Sequence, residues 1–372
     1  MAEIRVENLH KAFGDVVGVR ELSFCIPDGD FFCLLGPSGC GKTTTLRMIA
    51  GLELPTSGRI HLGGKDVTFE RASRRDIAFV FQLFALYPHL NVRHNIGYPL
   101  SCQGMARAEV RRRVEETARI LRITHLLDRG VGGLSSGDRQ RVALGRAIVR
   151  EPAAFLLDEP LGALDAEFRE LMCDELRTLH DRVHATTVYV THDQLEAMAM
   201  ADTIALMNDG RLEQLGPPQE IYDRPASLFA AGFVGSPAMN LLPFRGQLQP
   251  GDRSVNIGPG QIEVPEVREG VAEADLVLGA RPEHLRLSDA SPLRASVLEA
   301  EYLGTNQIVT LATAGGVRLK ARLPSDLPVR PGDQTGLVFK PEKLSVFHQA
   351  SGRVLRSVLH DRRDGDRRVA HG

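Results

Sequence analysis

"FFCLLGPSGCGKTTTLRMIA", residues 31–50, decides the fold. An apolar run leads into a glycine-rich loop, and the loop opens a helix. The segment from Gly36 to Thr44, GPSGCGKTT, fits the pattern G-x-x-x-x-G-K-[ST] in the strand–loop–helix context that a phosphate-binding loop requires. Gly36, Pro37, Ser38, Gly39, Cys40 and Gly41 form the loop, whose glycines let successive backbone N–H groups curl around phosphates. The helix N-terminus adds positive potential there. Lys42 reaches for the outer phosphates, and Thr43 offers its hydroxyl to Mg²⁺, followed by Thr44. A plain glycine-rich turn would not account for strand, lysine and helix together. Cys40, at the helix start and beside Lys42, is expected to favour its thiolate and to react readily.

Outward from this loop, short apolar runs alternate with helical stretches as far as about residue 236, the signature of a mainly parallel sheet with crossover helices. "FFCLLG", "DIAFVF", "AAFLLD" and "TTVYVTH" are the strand candidates. Between about 88 and 152 the strand signal vanishes, and "RAEVRRRVEETARIL" sets Val110, Val114 and Leu121 on one stripe, which predicts a helical insertion. Its arginines Arg111 to Arg113 have Glu115 and Glu116 one turn on, the pattern of a solvated, ion-paired face rather than a basic binding patch. "IALMNDGRLEQLG" predicts a hairpin at Asn208, Asp209 and Gly210. After "FVGSPAMN" the texture changes to short β-like segments separated by "QPGD", "GPGQ" and "RPGDQ", which predicts a small all-β domain over 237–348. The stretch 349–372 is charged and short of core residues, and reads as a disordered tail.

Composition narrows the function classes. With 372 residues, 43% of them hydrophobic and 25% charged, the chain has material for two domains. A net charge of -2 supplies no global field toward nucleic acid or anionic lipid. The five cysteines are odd in number, scattered and without C-x-x-C spacing, which points to free thiols in a reducing compartment, the cytosol. No apolar run approaches the roughly 20 residues that cross a bilayer.

A second element must hold the metal. "FLLDEP", 155–160, ends an apolar strand in Asp158, suited to Mg²⁺ through water, and Glu159, suited to take a proton from an attacking water. Gln82 follows "DIAFVF" and His192 follows "TTVYVT". Both lie at strand C-terminal ends, where open α/β sheets bind ligands. "LSSGDRQRVALGRA", 134–147, is a small turn running into a helix, with no nucleophile, base or metal cage of its own.

Taken in order, the phosphate loop, Gln82, "LSSGD", "FLLDEP", "ALD" and "THD" resemble the ATPase subunits of ABC transporters over nearly the whole chain. Phosphate-loop kinases and small GTPases lack the "LSSGDRQ" element. The resemblance implies a phosphate-loop NTPase α/β sheet with a helical insertion over 1–236, followed by an OB-like barrel regulatory domain. It implies that two ATPs lie head to tail between two ATPase subunits, so that Ser135, Ser136, Gly137 and Asp138 complete the site of the facing subunit. By the same resemblance Ser38, Gly39, Gly41, Lys42, Thr43 and Thr44 hold phosphate, and Gln82 and Asp158 help place Mg²⁺. Glu159 is the general base, His192 steadies the γ-phosphate, and Asp165 in "ALD" links the two sites. Phe13 in "KAFGD" matches the aromatic that stacks on adenine, its alternative being a core phenylalanine. The partners implied are a second ATPase subunit, two transmembrane permease subunits and, indirectly, an extracytoplasmic solute-binding protein, with no nucleic acid. The location implied is peripheral, on the cytoplasmic face of the inner membrane.

The chain departs from the family's L-S-G-G-Q. Ser136 replaces a glycine and Asp138 replaces the glutamine. An aspartate near a polyphosphate costs Coulomb energy unless it caps its own helix and faces away. Beyond 236, "FVGSPAMNLL", "LGARPEHLRL" and "EYLGTNQIVTL" are similar to the regulatory barrels of importer ATPases of the carbohydrate type, which serve maltose and glycerol phosphate. Polyamine, iron, sulfate and molybdate importers carry similar tails, and a soluble ABC ATPase uncoupled from transport is the alternative class. It would carry a second ATPase half or a long coiled coil, neither of which this sequence has.

Overall fold

The computed structural model describes residues 2–81, 85–162, 164 and 166–361. The chain divides into two compact units, Met1–Pro218 and Gln219–Gly372.

In the first unit β1 (Ile4–Phe13) and β2 (Val16–Ile26) form a hairpin that is extended by β4 (Ser57–Leu62) and β5 (Lys65–Asp66) into an antiparallel sheet of order β2-β1-β4-β5. The sequence reading, a mainly parallel sheet from the start, missed this layer. Asn8 and Glu21 sit at φ 47° and 51°, where the β1–β2 register shifts, and these irregularities break the period-2 alternation that would have announced the strands. A second sheet has the order β10-β9-β3-β8-β7-β6, built from β3 (Phe31–Leu35), β6 (Ile77–Val80), β7 (Ala154–Asp158), β8 (Thr186–Thr191), β9 (Thr203–Asn208) and β10 (Arg211–Gly216). All its pairings are parallel except β9–β10. Every residue of β3, β7 and β8 is buried, as a parallel sheet covered on both faces demands. Asp209 and Gly210, at φ 43° and 74°, make the two-residue turn between β9 and β10.

Helix α1 (Lys42–Ala50) follows β3. The buried Arg75 guanidinium donates to the Met48 and Ile49 carbonyls at 2.7 and 2.6 Å and so satisfies acceptors at the helix's C-terminal end. The helical insertion comprises α2 (Val92–Cys102), α3 (Arg107–Ile120) and α4 (Ser136–Ile148). Arg111 pairs with Glu115, Arg112 with Glu116 and Arg113 with Glu109, at 3.0, 2.6 and 3.0 Å, which accounts for the triple arginine. Two more helices, α5 (Ala166–Val183) and α6 (Gln194–Met200), flank β8 in sequence.

The second unit opens with α7 (Pro218–Asp223) and α8 (Leu228–Phe233). Its strands are β11 (Asn240–Leu248), β12 (Ser254–Ile257), β13 (Gly260–Glu263), β14 (Val271–Ala280), β15 (Leu285–Leu287), β16 (Arg294–Tyr302), β17 (Asn306–Thr313), β18 (Arg318–Pro324), β19 (Gln334–Phe339) and β20 (Ser345–His348). They form sheets β11-β14-β20, β12-β13 and β15-β19-β16-β17-β18 around one apolar core.

Two boundaries differ from the sequence reading. The division falls at 218/219, not 236/237. Ala231 of α8 is buried with Met239, Val277 and Phe347, while Arg281 donates to the carbonyls of Tyr222 and Val234 and stacks on Tyr222 at 4.1 Å. Residues 349–361 are not a loose tail. Val354 bridges Phe347, Ser357 bridges Val267, Leu355 is buried, and Asp361 pairs with Arg268 at 3.2 Å. The charged composition hid the two apolar residues that anchor the segment. The rest of that stretch, 362–372, lies outside the described residues.

Candidate functional site

The loop between β3 and α1 is shaped by close backbone approaches. A Cβ at Gly36 would strike the Met207 carbonyl oxygen and the Cys40 sulfur, and one at Gly41 would strike the Gly18 carbonyl oxygen. Gly41 also sits at φ 99°, where a side chain is strained. The β9–β10 turn braces the loop from outside, since the Gly210 N–H donates to the Cys40 carbonyl at 3.1 Å and Gly210 accepts from the Arg20 N–H at 2.7 Å. Ser38 and Gly39 are exposed at the crest. Lys42 is buried and donates to the Gly36 and Pro37 carbonyls at 2.7 and 2.9 Å, which holds its ammonium inside the curl of the loop.

Cys40 departs from the sequence expectation. Its side chain turns inward and is 3% exposed, and burial pushes the thiol above its ordinary pKa despite the Lys42 ammonium 3.9 Å away. Desolvation outweighs the cation. The thiolate is disfavoured, not favoured.

At the C-terminal ends of β7 and β8 the acidic pair meets the loop. The Thr43 hydroxyl donates to Asp158 Oδ1 at 2.9 Å, which sets two hard oxygen ligands side by side. Burial raises the Asp158 carboxyl, partly offset by that hydrogen bond, so a cation beside it would relieve a desolvated charge. Among the described residues no group of three or more His, Cys, Asp or Glu could hold a metal ion. A Mg²⁺ held by one or two protein oxygens plus substrate phosphates and water fits this sparse donor set. Glu159 adopts φ 44°, in the left-handed region, and its N–H donates to the Val190 carbonyl at 3.1 Å. Its carboxylate lies 3.3 Å from His192 Nδ1.

Phe13 is 47% exposed at the end of β1, with Lys11 Nζ 4.8 Å from its ring centre, so it is no core phenylalanine. Its ring edge lies against Gly18, the residue whose carbonyl abuts Gly41. Thr44 is half-buried in the first turn of α1.

The turn at 135–138 is built differently. Ser135 caps α4, accepting from the Asp138 N–H at 3.1 Å, and its hydroxyl donates to Asp138 Oδ2 at 2.7 Å. Asp138 also faces Arg141 at 3.5 Å, and Arg141 pairs with Glu175 of α5 at 3.0 Å. Asp138 is thus engaged in its own helix's first turn. Ser135 is exposed, Ser136 is half-buried and Gly137 is buried, and among the described residues no hydrogen bond joins this turn to the phosphate loop of the same chain. Gln82 and Asp165 lie outside the described residues.

Comparison with known proteins resolves the family. The chain is 46% identical to the trehalose/maltose import ATP-binding protein MalK of Thermococcus litoralis, over 95% of this chain and 100% of that protein. It belongs to the ABC transporter family of ATPases. The ABC transporter model matches residues 19–162, the MalK OB fold domain 235–285 and the TOBE domain 278–347. A sn-glycerol-3-phosphate import ATP-binding protein, UgpC of Cereibacter sphaeroides, is 44% identical over 95% of this chain and 100% of its own. Among solved structures, a dimeric post-hydrolysis state of the ATP-binding cassette MJ0796 bound to ADP and Pi superposes with a TM-score of 0.52 at 30% identity, over 58% of this chain and 98% of that one. The ATPase fold is therefore followed by two β modules in this ABC protein, with OB-fold and TOBE character.

Sequence reading of this ABC ATPase missed the residues that hold the site rather than form it. Asn95 is fully buried and spans the segment after Gln82, accepting from the Tyr87 N–H at 2.8 Å and donating to the Tyr87 and Leu90 carbonyls. Arg146 of α4 donates to the Ala85 carbonyl at 2.7 Å. Arg169, Asp193 and Glu196 form a similar brace beside His192. A polar or charged residue predicted on a helix or helix start carries no local sign that its partner is a loop outside that helix.

Proposed function

We propose that this chain is the ATP-binding and ATP-hydrolysing subunit that powers import of a carbohydrate or glycerol phosphate through a membrane ABC transporter. The observation that carries the reading is the convergence of two pairs at the ends of β7 and β8, Thr43 with Asp158 and Glu159 with His192, beside a glycine-shaped phosphate loop. The names of its relatives support the cargo class.

In this reading the loop N–H groups and the Lys42 ammonium hold the β- and γ-phosphates, with Ser38, Gly39, Gly41 and Thr44 lining the same curl. Thr43 and Asp158, with Gln82, hold Mg²⁺, which supplies charge neutralisation across the phosphates when bound. Phe13 stacks on adenine. Glu159 takes the proton of the attacking water, and His192, held against it, meets the γ-phosphate. The N–H groups at the start of α4, with Ser135, Ser136 and Gly137, face the ATP of a second ATPase subunit, and Asp165 links the two sites. The partners are that second copy or paired subunit, two permease subunits and, through them, an extracytoplasmic solute-binding protein. Among the described residues no helix is long and apolar enough to cross a membrane. In this reading the chain attaches peripherally, through its permease partners, at the cytoplasmic face of the inner membrane, and the import ATP-binding proteins it is similar to support that placement.

The test is Glu159→Gln, which keeps the site and removes the base. ATP binding is expected to persist, hydrolysis to stop, and sedimentation in ATP to show a trapped dimer. Hydrolysis at the parent rate would refute the assignment.

A further inference from the structure

Arg169, in the first turn of α5, contacts three groups on two separate segments. One guanidinium nitrogen donates to the Leu164 carbonyl at 2.9 Å, immediately before Asp165. Another donates to Asp193 Oδ2 at 3.1 Å, and Nε lies 3.5 Å from Glu196 Oε1. Asp193 and Glu196 are not free to yield. Asp193 caps α6, accepting from the Leu195 N–H at 2.8 Å, and its own N–H donates to Thr191 Oγ1 at 2.9 Å. Glu196 is buried and accepts from the hydroxyls of Thr191 at 2.7 Å and Tyr189 at 2.8 Å. His192 stands between Thr191 and Asp193, so both of its chain neighbours are pinned to this cluster.

We propose that Arg169 is a positioning residue. It locks the backbone at Leu164 to the loop that presents His192, so that the two segments keep one relative geometry. The inference rests on the reading of His192 given above. A planar guanidinium suits the task because its fork donates in several fixed directions at once, whereas an ammonium is a single point charge. Loss of the fork leaves every group that touches nucleotide in the chain and releases the loop that carries His192 from the backbone at Leu164. Misplacement of a reacting group by about 1 Å costs on the order of 100-fold in rate.

The experiment is a double-mutant cycle on the full chain, with ATP affinity, single-turnover hydrolysis and thermal melting measured for Arg169→Lys, His192→Ala and the double variant. Arg169→Lys is expected to slow hydrolysis about 10- to 100-fold with ATP affinity unchanged. The double variant is expected to be no slower than His192→Ala alone, because groups acting as a unit are not additive. Losses that multiply, or Arg169→Lys at the parent rate, overturn the inference while leaving His192 in its role. His192→Ala at the parent rate overturns both readings. Should Arg169→Lys melt early, Asp193→Asn provides the second arm, since it weakens the same contact from the other side and is held to the same non-additivity.

Discussion

Replacing Asp138 by glutamine restores the residue usual in the family and tests what the aspartate does. In the structure its carboxylate accepts from the Ser135 hydroxyl at 2.7 Å and faces Arg141 at 3.5 Å, within the first turn of α4. Glutamine keeps a hydrogen-bonding group there and loses the charge. The loss comprises the interaction of an anion with the helix N-terminus, about 0.3–1 kcal/mol, and a partly exposed ion pair of about 0.2–1 kcal/mol. Arg141 retains Glu175 at 3.0 Å, which limits the second contribution. A net destabilisation of about 0.5–1 kcal/mol follows, equivalent to a fall of roughly 1–4 °C in melting temperature for a unit of this size. Turnover is expected to stay within about twofold, since less than 0.5 kcal/mol at the barrier corresponds to about that factor. Differential scanning calorimetry and steady-state ATPase rates of parent and variant check both halves. A several-fold rise in rate with unchanged melting would refute the reasoning and place the carboxylate against the partner's ATP.

Phe13→Ala is expected to weaken ATP binding about 5- to 150-fold, the equivalent of 1–3 kcal/mol of base stacking. Because the ring is already 47% exposed, the variant should melt nearly as the parent does, and unchanged affinity measured by calorimetric titration would rule the stacking role out. Asp30, at the other end of β3, is pushed up to about 6 from 3.8 chiefly by burial, with Asp202 adding to the rise and Thr203 and Arg177 opposing it. The folded state keeps a proton that the unfolded chain releases first, so stability is lost as pH rises from about 4 through about 6. Asp30→Asn should therefore raise the melting temperature at pH 7.5 more than at pH 4.5, and an equal shift at both would contradict the assignment.

What the sequence made legible was local. The phosphate loop, Asp158, Glu159 and His192 each follow an apolar strand directly, so a strand end and a few residues sufficed to place them. The first sheet was hidden because Asn8 and Glu21 interrupt alternation in β1 and β2. Cys40 was misjudged because a sequence shows its neighbours Gly41 and Lys42 but not that its side chain points into the fold. Arg169 was overlooked because Asp193 and Glu196 lie far along the chain, and proximity in space between α5 and α6 has no signature in spacing.

The Arg281 guanidinium, buried against Tyr222 and the carbonyls of α7 and α8, dictates where this chain tolerates recombination with its relatives. A chimaera joined at 236/237, where composition changes, would take the arginine from one parent and its acceptors from the other. The guanidinium would then stay satisfied only if the foreign helices reproduced the Tyr222 and Val234 carbonyls and the stacking ring. A junction at 218/219 inherits all of them together. Swapped regulatory modules should therefore begin at Gln219, so that α8 and all of α7 but its first residue, Pro218, travel as part of the barrel unit that they cover.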